Sequence, residues 1–176
     1  MPSLYPTAVA RLQLPPEVET ALSGHYTCEC TTVNRAGQPV TWPAVPYYDR
    51  EDGSIVVTAS IAFPVKALNA RRDRRVALLY SDPTGASLDD PPAVLVQGDA
   101  TVSELLESTS QSLEMFKLSV RRQPDSRRFV ANPIARRLFE FYFQRLAITV
   151  RPRRILVWPH RDFDAAPTVL GLADVG

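Results

Sequence analysis

Short β-branched runs separated by turn sequences are the feature that most constrains the fold of this chain. The clearest run, at 55–58, reads Ile-Val-Val-Thr and follows the turn sequence Asp-Arg-Glu-Asp-Gly at 49–53. This pattern predicts a strand entered through a tight turn. Similar patterns predict further strands at 25–34, 39–48, 76–80 and 93–102. The strand that contains the run 55–58 is predicted to span 54–60. Because a single short helix, at 64–72, interrupts them, the spacing favours an antiparallel barrel or sandwich.

The remainder of the chain is predicted to contain helices and a closing pair of strands. Helices are predicted at about 15–22, from Ser103 onward, and at about 132–142. The helix from Ser103 is predicted to begin there because serine is a favourable N-cap residue. Strands at 145–150 and 154–158 are predicted on either side of Pro152, which cannot donate a ladder hydrogen bond. The tail beyond Pro159 is expected to be loose or draped on a neighbour.

Length and composition place the chain among single-domain globular proteins. Its 176 residues are 45% hydrophobic and 22% charged, which is enough to bury a core. No apolar run approaches the roughly 20 residues that cross a bilayer, and no signal peptide is predicted. We therefore expect a cytoplasmic protein without membrane contact. The predicted domain covers 1–176, with a helical insertion at about 103–143 and closing strands at about 145–158.

Two sequence features carry charge or thiols without fixing a function. The segment 121–154 holds ten arginines against two acids, a net charge of +8 in a chain whose total is +1. It indicates an anionic ligand or ion pairs with acids across a dimer; nucleic acid is disfavoured because aromatic residues interrupt the arginines.

Cys28 and Cys30 are predicted as small buried hydrophobes, since a metal site could add only His25 and His160.

No catalytic motif is present, so we expect any chemistry to come from a bound cofactor. The strand end Thr58-Ala59-Ser60 is followed by Lys66 in the first turn of the predicted helix. Hydroxyls, backbone N–H groups and an ammonium together suit a phosphate. The alternative is that Lys66 lies on the solvated surface.

Several segments together resemble the pyridoxamine 5′-phosphate oxidase-like split-barrel flavoproteins, in order and spacing over about 15–102. They are the runs 31–40, 52–58, 66–73, 76–79 and 94–100, and the ending 145–158 resembles the closing strands of that family. The resemblance implies a mainly β protein, a six-stranded antiparallel split β-barrel with short helices. It further implies a homodimer that binds FMN at its interface, or alternatively the 8-hydroxy-5-deazaflavin coenzyme.

The resemblance also assigns cofactor contacts residue by residue. Thr58 and Ser60, with Ala59 between them, match the hydroxyls near the phosphate, and Lys66 matches the phosphate-binding lysine. The remaining matches are Val40, Thr41 and Trp42 along the ring, and Gln97 at the ring or ribityl chain. Tyr142 and Trp158 are further candidate contacts, with core packing as the alternative for Tyr142 and an interface anchor for Trp158.

Departures from the pyridoxamine phosphate oxidase pattern argue against vitamin B6 as the substrate. The neighbourhood of Thr41 and Trp42 lacks that family's arginine, and Pro64-Val65 stands where Ser-Arg would precede the lysine. The C-terminal Arg-x-His pattern is not reproduced at 158–161.

The resemblance implies a flavin-dependent oxidoreductase that transfers a hydride to or from a small conjugated substrate. Alternatives are a deazaflavin-dependent reductase and a non-catalytic flavin- or tetrapyrrole-binding protein. FMN is preferred because Trp42 and the hydroxyl–lysine pocket suit a single terminal phosphate. The catalytic residues stay unknown, with Tyr47, Tyr48 and Tyr80 as candidate proton donors.

Overall fold

The computed structural model describes residues 14–106 and 145–171. Within these residues two helices, α1 (Pro16–Gly24) and α2 (Val65–Arg72), accompany eight strands. The strands are β1 (Cys28–Val33), β2 (Pro39–Ala44), β3 (Tyr47–Tyr48), β4 (Ile55–Ser60), β5 (Arg75–Tyr80), β6 (Ala93–Leu106), β7 (Arg145–Trp158) and β8 (Thr168–Gly171). A 3-10 turn, Pro159–Arg161, follows β7 directly.

All strand pairs are antiparallel, in the order β2-β1-β5-β6-β7-β4-β3, with β8 paired to β7. The two strands at the edges of this order, β2 and β3, are separated in the chain by only Val45 and Pro46. The sheet must therefore curl until its edges are joined by two residues, which makes it a barrel rather than an open sheet. The predicted mainly β fold with peripheral helices is confirmed. The described strands exceed six because the return strand divides at Pro46 and β8 is added.

The inner face of the sheet forms one hydrophobic core with α1. Ile55, Val57 and Ala59 point inward from β4, because alternate residues of a strand share a face. Cys28 and Cys30 are free thiols in the same core, so their predicted burial is confirmed. Within the described ranges, no group of three or more His, Cys, Asp or Glu side chains could hold a metal ion. No helix among the described residues is long and apolar enough to span a membrane.

The helix predicted from Ser103 is wrong over 103–106, where β6 continues to Leu106. Its end pairs with the start of β7, and a register shift lies between Val102 and Leu105. The Ser103 hydroxyl accepts a hydrogen bond from the Ala147 amide at 3.0 Å instead of capping a helix. Pairing with a distant strand thus overrides the local capping signal. The rest of the predicted insertion, including Tyr142, lies outside the described residues.

The closing strands also differ from the prediction. β7 is continuous through Pro152, rather than two strands, because a bulge at this point removes the need for the missing N–H. The tail, predicted to be loose or draped on a neighbour, instead forms β8, which pairs with β7 of its own chain from Val157 to Arg154. β7 therefore pairs with β6 along its length on one edge, and with β4 and then β8 on the other.

His25 is a buried titratable group at the C-terminal end of α1. Its side chain is fully buried, and Nδ1 donates a hydrogen bond to the Ala21 carbonyl at 2.8 Å. The ring stands edge-on to Tyr80 at 5.7 Å, and Nε2 has no hydrogen-bond partner among the described residues. Burial lowers the pKa of His25; the hydrogen bond to the Ala21 carbonyl opposes this effect, as do Asp82 and Glu29, while Arg161 adds to it. The ring is therefore neutral at neutral pH, with its proton on Nδ1.

We expect the free energy of unfolding to fall as the pH drops below about 6.5, the pKa of an unfolded histidine. Because the folded-state pKa is lower, the unfolded chain takes up the proton first as the pH falls. This lowers the free energy of unfolding by up to about 1.4 kcal/mol per pH unit. Urea unfolding at pH 7.5, 6.5, 5.5 and 5.0 measures this slope. Asp82 and Asp90, whose pKa values are also lowered, act in a lower pH range.

The control is His25→Asn, whose side-chain N–H can replace that of Nδ1. This variant leaves a cavity and should be less stable throughout, but its stability should not change between pH 6.5 and 5.0. A wild-type protein with equal stability at pH 7.5 and 5.0 would contradict the assignment.

Candidate functional site

Lys66 lies on the face of α2 that is turned toward the barrel. Residues 66, 69 and 70 share one side of the helix by their spacing, and Asn69 and Ala70 are buried. Asn69 Nδ2 donates to Thr32 Oγ1 at 3.2 Å, which fixes α2 against β1. The Lys66 side chain is consequently half-buried, instead of lying in solvent.

The Lys66 ammonium is an uncompensated charge in the part of the chain that the structure describes. Burial lowers its pKa; the Cys30 and Cys28 thiols oppose this, and Arg145 adds to it. Cys30 cannot neutralise the ammonium, because burial raises the pKa of this thiol to about 11 and keeps it protonated at neutral pH. Among the described residues no carboxylate contributes to the environment of Lys66. A desolvated cation of this kind fits an anionic ligand.

Hydroxyls of β4 and a second cation lie at the same end of the barrel. Ser60 is paired across the sheet with Arg145, and Thr58 with Ala147. Ser60 Oγ accepts a hydrogen bond from the Ala62 amide at 3.2 Å. Arg145 is close enough to lower the pKa of Lys66. We call these four residues, Thr58, Ser60, Lys66 and Arg145, the strand-end cluster. Ala59 points the other way, into the core, so only its backbone could contact a ligand there.

The cofactor contacts predicted on β2 lie on both faces of the sheet. Trp42 is the cross-strand partner of Cys30, the thiol beside Lys66, and Val40 is the partner of Thr32. Cross-strand partners share a face, so Trp42 lies on the inner face with Cys30, opposite to the outward-pointing Thr58 and Ser60, and 40% of it is exposed. Thr41 lies on the outer face, with its hydroxyl 2.9 Å from that of Thr31.

Gln97 and Trp158 lie far from the strand-end cluster within one chain. Gln97 is opposite Arg154 and Ala93 is opposite Trp158, whereas Ser60 is opposite Arg145. At about 3.3 Å per residue, these positions are roughly 30 and 40 Å from Arg145 along β7. The structure therefore separates the predicted contacts into two groups. The second, the outer-face group, comprises Gln97, Arg154 and Trp158.

Sequence reasoning missed Arg145 as an individual residue, counting it only as part of the basic segment 121–154. Its place opposite Ser60 follows from the pairing of β4 with β7, which no local signal announces. Of the three candidate tyrosines, Tyr48 and Tyr80 belong to the core and Tyr47 is exposed.

Comparison with solved structures identifies the fold. General stress protein 26 from Bacillus anthracis matches with a TM-score of 0.57 and 17% identity, over 89% of this chain and 96% of that one. An F420 reductase matches with a TM-score of 0.53 and 17% identity, over 81% and 98%.

A third match is a Clostridium acetobutylicum protein related to general stress protein 26, of the pyridoxinephosphate oxidase family. Its TM-score is 0.51 at 9% identity, over 89% of both chains. No protein-family model matches the sequence, and no curated protein is significantly similar to it. The resemblance drawn from the sequence is confirmed at the level of the fold. This chain has the split β-barrel fold of the pyridoxamine 5′-phosphate oxidase-like proteins.

Proposed function

We propose that this protein binds a phosphorylated flavin-type cofactor, FMN in preference to the 8-hydroxy-5-deazaflavin coenzyme, and is an oxidoreductase. The observation that carries the proposal is the uncompensated Lys66 ammonium beside Arg145. A desolvated Lys66 ammonium with a second cation near it and no described carboxylate beside it is unfavourable unless an anion joins it. A phosphate group, with several charge-assisted acceptor oxygens, suits this position.

The residues of the strand-end cluster would make different kinds of contact with the phosphate. Lys66 and Arg145 would supply charge to the phosphate, and the Ser60 and Thr58 hydroxyls would supply hydrogen bonds. FMN is preferred because its terminal phosphate is a dianion, which two cations match better than the monoanionic phosphodiester of the deazaflavin coenzyme. When bound, the cofactor supplies hydride transfer to or from a small conjugated substrate.

The proposal includes a homodimer. Gln97 and Trp158 are too far along β7 to reach a cofactor held by the strand-end cluster of their own chain. A second copy related by a two-fold axis would bring its outer-face group to the first copy's cluster, and the reverse, so that two equivalent sites form. Sedimentation of the protein with and without FMN tests this part of the proposal, and a monomer at saturating FMN would refute it.

The deciding experiment compares FMN with riboflavin, which carries the same ring and ribityl chain without the phosphate. The absorption spectrum of the purified protein is recorded first, followed by titration with FMN, riboflavin and the deazaflavin coenzyme. We expect micromolar FMN binding, and riboflavin binding weaker by roughly tenfold or more. Equal affinity for FMN and riboflavin, or no binding of either, would refute the phosphate site.

Turnover is tested separately from binding. Anaerobic reduction of the FMN-loaded protein by NADH, NADPH or reduced deazaflavin, followed as bleaching of the flavin band, indicates an oxidoreductase. A protein that binds FMN but accepts electrons from none of these donors would instead be a flavin-binding protein of the same fold.

A further inference from the structure

A short turn after β7 holds an exposed imidazole in a defined orientation. Among the described residues, three that are not glycine have positive φ: Asp90 at 39°, His160 at 52° and Arg161 at 56°. A side chain destabilises this left-handed backbone conformation, so three such residues at one place mark a constrained site. Asp90 lies in the connection between β5 and β6, while the other two residues belong to the 3-10 turn Pro159–Arg161.

The three residues are joined through the Asp90 carboxylate. His160 Nδ1 contacts Asp90 Oδ2, and Arg161 Nη2 donates to Oδ1 of the same carboxylate at 3.2 Å. Arg161 Nη1 also donates to the Pro91 carbonyl at 3.1 Å. These contacts lower the pKa of Asp90, with His160 as the largest cause. Both carboxylate oxygens are thus used to hold the turn.

The rest of the His160 ring faces solvent. Its side chain is 79% exposed, so Nε2 is accessible while Nδ1 is held by the carboxylate. A purely structural brace would gain little from this pair, because ion pairs this exposed contribute weakly to stability. An imidazole oriented through one nitrogen, with the other presented outward, is instead the arrangement used for proton transfer.

Two aromatic side chains, Trp158 and Phe163, lie within three residues of His160 in the sequence. Trp158 belongs to the outer-face group, and its ring lies 5.6 Å from that of Phe163, which is 57% exposed. Such a pair can stack with a planar conjugated molecule. His160 follows Trp158 by two residues, so the ring that would receive such a molecule and the accessible Nε2 lie at the same end of the barrel.

We propose that His160, oriented by Asp90, is the proton donor of the redox site formed with the partner subunit. The inference rests on the proposed function. In the reducing direction, a hydride passes from the reduced cofactor to the β-carbon of a conjugated carbonyl substrate, and the C=C electrons move to the α-carbon. The imidazolium Nε2–H bond gives its proton to that carbon, and its electron pair stays on the ring. The cofactor is oxidised by two electrons, the substrate is reduced by two, and water reprotonates His160.

Placement is tested by NMR, for which the chain is well suited because it contains two histidines. During titration with FMN, the His160 Hε1 resonance should shift along the binding curve measured by absorbance. The resonance of buried His25 provides the internal control and should stay in place. FMN that binds without moving the His160 resonance overturns this inference, whereas FMN that does not bind overturns the proposed function instead.

Proton donation is tested with two electron acceptors. The FMN-loaded protein is reduced with dithionite and mixed with 2-cyclohexen-1-one, which needs a proton at carbon, or with ferricyanide, which needs none. We expect His160→Gln to slow oxidation by the enone by about 100-fold or more and to leave oxidation by ferricyanide unchanged. Equal slowing with both acceptors, no slowing with the enone, or a wild-type protein inert to the enone would overturn the role.

Asp90 acts as a positioning residue, and its test differs. Asp90→Asn should shift His160 away from the Nδ1-protonated tautomer, which the ¹⁵N chemical shifts of the ring report directly, and should slow the enone reaction. An unchanged tautomer in this variant would show that Asp90 does not orient the ring.

Discussion

Replacement of Lys66 by methionine is expected to weaken FMN binding by roughly 10- to 100-fold, the value of a charge-assisted contact. The same change should leave the apo-protein at least as stable as the wild type. Most binding-site substitutions cost stability or do nothing to it. Lys66 differs because its ammonium is desolvated beside Arg145 and has no anionic partner among the described residues, so the folded apo-protein bears an electrostatic penalty.

This penalty predicts how the free energy of unfolding changes with pH. Burial lowers the pKa of Lys66 below its usual value of 10.5, so the unfolded chain holds the proton more tightly than the folded chain. The penalty is complete at neutral pH and is relieved as the pH rises through the folded-state pKa toward 10.5. Wild-type stability should gain from this group on the alkaline side, and Lys66→Met should lack that gain. At pH 7 the variant should be more stable by on the order of 1 kcal/mol.

The measurement is a cycle of two proteins and two ligands. Wild type and Lys66→Met are titrated with FMN and with riboflavin, so that the coupling between the lysine and the phosphate is isolated. The affinity loss should be confined to FMN. Arg71→Met, which removes an exposed cation from the same helix, is the matched control and should leave FMN affinity unchanged. Equal losses for FMN and riboflavin, or an apo-protein destabilised by the methionine, would show that Lys66 is structural.

The parts of the site that could be predicted are those encoded by neighbouring residues. The run 55–58 predicts β4, and with it the alternation that turns Thr58 and Ser60 away from Ala59. The helix containing Lys66 follows from a local pattern at 64–72 and is found at Val65–Arg72. In both cases the period of the side chains and the turn residues are sufficient.

The parts that could not be predicted depend on strand register. Arg145 reaches Ser60 only because β7 pairs with β4 over its first half, and the intervening 84 positions give no hint of this. The strand signal of 103–106 is similarly absent from the local sequence, since it comes from pairing with β7. His160 and Asp90 are 70 residues apart and meet because β8, the 3-10 turn and β6 are all anchored to one long strand. Register between distant strands follows from the whole barrel, and a one-residue slip would change every one of these partners.

Substitution of Gly98 by alanine is expected to destabilise the protein by about 3 kcal/mol, a loss of the size seen when backbone packing is violated. A Cβ at this position would lie 2.2 Å from the Arg151 carbonyl oxygen, 2.9 Å from its carbon and 3.1 Å from Pro152 Cα. All three atoms belong to the backbone of β7, so no side chain can move aside. In a domain of this size, the midpoint of thermal unfolding should fall by roughly 6 to 12 °C.

Gly171→Ala is the matched control, because no atom of the described residues lies within 4 Å of a Cβ at that strand position. It should change stability by no more than about 0.5 kcal/mol. If Gly98→Ala were equally mild, the close approach of β6 to β7 would be wrong, and with it the register that sets Gln97 opposite Arg154.

The effect should be large because Gly98 is where the barrel accommodates a proline within its long central strand. Gln97 pairs with Arg154 and Gly98 with Pro152, so Arg153 is the extra residue of a bulge. The bulge leaves Arg153 and Arg154 both exposed, with Arg153 paired to Asp99. It also sets the phase of the strand beyond it, which carries Trp158 and the turn of His160. An alanine that forces β6 and β7 apart should therefore disturb the outer-face group as well as the core, and a folded Gly98→Ala protein should bind FMN more weakly than Gly171→Ala.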